Sequence, residues 1–123
     1  MTKLEKYQPN NLSVLKLPDE SILILLNFKT TQESTDFMQN IIEKHIFKLS
    51  ISINDKKEFG LILTFPEREE TFVFQTGKTV KDYSSFSYLQ ENRTAVLSCG
   101  TRAQDGKLEI YQPPKPLDGV HLN

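Results

Sequence analysis

Five consecutive apolar residues, Ile22-Leu23-Ile24-Leu25-Leu26, do most to restrict what this chain can become. Successive side chains of a strand point to opposite faces, so an unbroken apolar run predicts a strand buried on both sides, central in its sheet. The run is also the longest apolar stretch in the chain, and it falls far short of the ~20 residues that cross a bilayer as a helix.

Elements on either side follow from period and turn chemistry. Leu12 to Leu17 is a rough strand, and Pro18-Asp19-Glu20 turns it back into a second strand from Ser21 to Phe28. Thr30-Thr31-Gln32-Glu33 has the pattern of a capping box, in which a Thr hydroxyl and a Glu carboxylate satisfy free backbone N–H groups at a helix start. Phe37, Met38, Ile41, Ile42, His45 and Ile46 then recur at helical spacing, which predicts a helix from Thr31 to about Ile46. Lys48 to Ile53 alternates cleanly, as do Phe59, Leu61, Leu63 and Phe65, with Asn54-Asp55-Lys56-Lys57 as the hairpin between them. Pro66-Glu67-Arg68-Glu69 leads into a third strand, Thr71 to Gln75, completing an antiparallel meander.

Between residues 77 and 93 the period is nearer three than 3.6, which suits a short helix or structured loop starting at Thr79 to Asp82. Arg93 to Thr101 and Leu108 to Gln112 form a hairpin around Asp105-Gly106. Residues 1–10 read as a loose arm, and residues 113–123, opening Pro-Pro-Lys-Pro, as a Pro-rich tail that cannot extend a central strand. The expected order is ββ-α-βββ-(α)-ββ. This is a single α+β domain over residues 1–123, with a mainly antiparallel sheet of about six or seven strands and one long helix on one face.

Charge and cysteine content narrow the function. The 15 basic and 16 acidic residues leave a net charge of -1, too balanced for sequence-independent nucleic-acid binding. Cys99 is the only cysteine, which rules out an internal disulfide and a multi-cysteine zinc site and suits a reducing compartment. The start, MTKLEKYQPNN, lacks the apolar core of a signal peptide, so a cytoplasmic location is expected.

Each chemical motif has a plainer reading. Gly77-Lys78-Thr79 follows a strand as a phosphate loop would, but Phe72 stands where that loop's first glycine belongs. Cys99 would serve as a nucleophile with His45 or His121 as base, yet it shares strand parity with Ala95 and Leu97 and reads as core. The two histidines lack the companions a metal site needs, so neither metal nor cofactor is expected. Lys78, Lys81, Tyr83, Phe86, Tyr88 and Arg93 interleave cations with aromatics, as a grip on single-stranded nucleic acid or peptide does. Arg102 is placed to bind an anion beside Cys99. Leu117, Val120 and Leu122 make the tail apolar enough to dock on its own domain, on a second copy or on another protein.

The expectation is a non-enzymatic interaction domain of adaptor, inhibitor or immunity type, partnered by another protein or a second copy of itself, with no membrane association. The alternatives are a small-ligand or enzymatic site near Cys99 and Arg102, and single-stranded nucleic-acid binding through residues 78–93.

Overall fold

The computed structural model describes residues 4–79, 81, 87, 94–102, 108–110, 115–117 and 121–122. The described residues form two sheets and a helix, an α+β fold. The first sheet runs β1 (Asn11–Lys16), β2 (Ile22–Phe28), β6 (Ala95–Arg102) and then β7 (Leu108–Ile110), with β8 (Lys115–Pro116) also on β6. The second runs β5 (Glu70–Thr79), β4 (Glu58–Phe65), β3 (Lys48–Ile53) and β9 (His121–Leu122).

The Ile22–Leu26 run behaves as its composition requires. All seven residues of β2 are buried, between β1, which is antiparallel to it, and β6, which is parallel. Ile22, Ile24, Leu26 and Phe28 enter the core beside Ala95, Leu97 and Cys99 of β6. On the other face Asn27 Nδ2 donates to Asn11 Oδ1 at 2.5 Å and to Ser13 Oγ at 3.0 Å, tying β2 to β1. From the second sheet, Leu49 and Ile51 of β3 and Phe59, Leu61, Leu63 and Phe65 of β4 join the same core, so the β3–β4–β5 meander sits as its alternation predicts.

Four expectations need correction. The strands form two sheets rather than one, and two pairings are parallel: β2 with β6, and β3 with β9. Turn chemistry reports only on neighbours joined by short loops, so pairings between distant segments leave no such trace.

The helix is also shorter than expected. Helix α1 (Thr31–Phe37) passes into a π-helical turn over Met38–Ile42, where the Glu43 N–H donates to Met38 O at 2.9 Å. The wider turn keeps Phe37, Met38, Ile41 and Ile42 fully buried. Helical structure ends at Ile42, so Ile46, expected on the apolar stripe, lies beyond it and is 66% exposed.

From Leu4 on, the amino-terminal arm is packed, not loose. Leu4–Lys6 forms a 3₁₀ turn in which side chains three apart eclipse, and Leu4 and Tyr7 both enter the core at 3% exposure. Finally, Thr79 belongs to β5 rather than to a helix start, and Gly77, with φ at 65°, sits inside that strand rather than in a phosphate cradle.

The tail returns to its own chain. Pro116 sits opposite Val96, and the Leu117 N–H donates to Ala95 O at 3.0 Å. Lys115 Nζ donates to Ile42 O at 2.9 Å, at the end of the helix, and lies 5.4 Å from the Phe47 ring centroid. A cation there meets the partial negative charge of the helix terminus.

Candidate binding groove

The arm's anchor, Tyr7, lines two surface grooves. Its ring meets Phe37 edge-on at 4.9 Å, and its hydroxyl donates to Asp36 on α1. Asp36 also accepts from Asn40 Nδ2 at 2.5 Å. These hydrogen bonds favour the ionised carboxylate, and the bond from Tyr7 foremost holds Asp36 below the usual range. Burial above all, then the bond to Asp36, pushes the Tyr7 phenol well above its ordinary value. The pair is a stable phenol–carboxylate bond, not one poised to exchange a proton near neutrality.

Two further bonds fix the arm. Thr30 caps the helix through Glu33 N–H, at 3.1 Å from Oγ1. Glu33's own carboxylate accepts the Gln8 N–H at 3.1 Å, so a residue expected to serve the helix start also holds the arm. The Leu4 N–H reaches Glu70 Oε2 at 3.3 Å. Glu70 Oε1 in turn receives Arg68 through Nε at 3.1 Å and a second nitrogen at 2.9 Å. The remaining terminal nitrogen of Arg68 stands 3.2 Å from His45 Nε2. Guanidinium offers donors only, so this Nε2 is the accepting nitrogen of its ring.

Grooves open on both sides of Tyr7. One, about 410 Å³, lies against the front of α1 between Lys6 and Asp36, with a polar lining. The other, about 380 Å³, runs between the arm (Leu4, Tyr7, Gln8) and the first residues of β5, Glu70 to Val73. Phe72 is buried beneath it, while Val73 is 51% exposed. The half-buried Ile62 is the cross-strand partner of Val73. β5 is ten residues long and ends its sheet, with no described strand on its outer side.

The residues singled out by sequence do not meet here. Lys78 and Lys81 are both exposed, Lys78 near the far end of β5. Tyr83, Phe86, Tyr88, Arg93 and Val120 lie outside the described residues. Arg102 ends β6 opposite Leu108, Leu117 is half-buried against the core, and Leu122 pairs with Ile51. Cys99 is fully buried, and burial pushes its thiol above the ordinary range, which favours the protonated form. Among the described residues no group of His, Cys, Asp and Glu is placed to hold a metal, and no helix is long and apolar enough to cross a membrane.

Sequence reasoning missed the arm. The available signal was the three-residue spacing of Leu4 and Tyr7, which a 3₁₀ turn places on one side. No family model matches the chain, and neither a curated protein nor a solved structure matches it.

Proposed function

We propose that this chain is a protein-binding domain that receives an extended segment of a partner polypeptide along the outer edge of β5, seated in the groove beside the arm. A sheet edge offers unpaired main-chain donors and acceptors, and an extended peptide satisfies them as an added strand. The observation that carries the reading is the coincidence, on one edge, of a ten-residue strand, a groove of about 380 Å³ and the half-exposed Val73. Main-chain bonds would supply affinity, and the groove a pocket for one side chain.

Selection of displayed random peptides against the full chain tests this. Enriched peptides should be rich in β-formers, and Val73→Lys should weaken them while leaving the circular dichroism spectrum and melting curve intact. Peptides that bind wild type and Val73→Lys equally, or the absence of any enrichment, would overturn the reading.

A further inference from the structure

The groove is apolar in its floor and acidic at one end. Leu4 and Phe72 are buried in its walls, and Val73 stands half-exposed beside them. Just before β5 the chain runs Glu67-Arg68-Glu69-Glu70. Arg68 does not offset these carboxylates on the surface, because its side chain is 4% exposed and holds Glu70. Glu67 and Glu69 are exposed. Glu69, with φ at 52°, adopts the left-handed conformation at the end of the 3₁₀ turn Pro66–Arg68. The described base on β5 itself, Lys78, lies near the opposite end of the strand.

Resting on the reading of β5 as a docking edge, we infer that the partner segment is basic: it carries an apolar residue opposite Val73 and a lysine or arginine about four positions away, at the end that meets the exposed turn carboxylates Glu67 and Glu69. Thr71 and Val73 share a face of β5, whose first residue is Glu70, and Glu67 and Glu69 lie in the turn just before it. A segment laid along the edge past Val73 therefore comes up to these carboxylates, where an opposite charge is favourable and a like charge is not. An acidic segment would meet Glu67 and Glu69 as like charges, which discriminates against it as well as for the basic one.

Two twelve-residue probe peptides test this against the full chain. Each alternates Thr and Val, and each carries a charge four positions from its central Val, Lys in one and Glu in the other. Fluorescence anisotropy at low salt should show the Lys peptide binding more tightly by roughly fivefold, as expected of one exposed charge pair against one like-charge contact. The preference should shrink at 0.5 M salt and reverse in Glu69→Lys. Equal binding of the two peptides at an edge still sensitive to Val73→Lys would overturn the charge inference and leave the docking edge standing. Binding of neither peptide would overturn both. A Glu69→Lys variant with unchanged preference would remove Glu69 from the site.

Discussion

Replacing Lys115 with methionine isolates what the tail does for the helix. Methionine keeps an unbranched stem of similar length and removes only the ammonium, which in the native chain donates to Ile42 O at 2.9 Å and lies over the Phe47 ring. A charged donor contributes a net ~1.5–3 kcal/mol to such a bond. The cation over an aromatic face adds ~0.5–1 kcal/mol. Relief from desolvating a half-buried ammonium offsets part of this, so the expected loss is about 2 kcal/mol. With a urea m-value of about 2 kcal/mol/M, the unfolding midpoint should fall by about 1 M with the slope unchanged. Lys115→Arg should lose much less. Because Lys115 reaches its own helix, the loss should not depend on protein concentration. A midpoint unchanged to within about 0.2 M, at a slope shared with wild type, would refute the assignment of Lys115 as the helix's terminal cation. A loss that varies with concentration would refute the intramolecular docking.

Tyr7→Phe removes the donor that favours ionised Asp36. A carboxyl held low in the folded state contributes stability above its unfolded range that is lost as pH falls through its folded value. The variant should therefore lose less stability than wild type between about pH 5 and 2, and the Asp36 carboxyl should titrate higher by carbon-detected NMR. Lys57 sits at φ 64° in the β3–β4 hairpin, where glycine avoids the Cβ penalty. Strain relief of roughly 1–2 kcal/mol, less about 0.5–1 kcal/mol of added unfolded-state freedom, leaves Lys57→Gly more stable by about 0.5–1 kcal/mol in a thermal melt.

The strands were legible because each signal is local. Alternation in Lys48–Ile53 and the unbroken run of β2 report directly on one or two buried faces, whatever the rest of the chain does. The Met38–Ile42 turn was not legible, because Ile41, Ile42, His45 and Ile46 fit an ordinary helical stripe equally well. What decides for the wider turn is tertiary: Lys115 takes the Ile42 carbonyl, and the four residues from Phe37 to Ile42 that reach the core are all fully buried. The groove was hidden for a similar reason. Its walls come from residues more than sixty positions apart, joined by the Leu4–Glu70 bond, and nothing in a short window of sequence announces that contact.

The two ends of the chain thus complete the same short helix. Isolated helices below about 12–15 residues are marginal in water, so α1 and its π turn depend on what surrounds them. At the front, the arm brings Tyr7 to Asp36 and Gln8 to Glu33. At the back, the tail brings Lys115 to Ile42. Cutting the chain after Gln112 would remove that cation together with β8 and β9, one strand from each sheet. A truncation of this kind would lower stability before it reported on assembly. Point substitutions such as Lys115→Met and Val73→Lys are the cleaner separation, since the first perturbs the helix without touching the β5 edge and the second does the reverse.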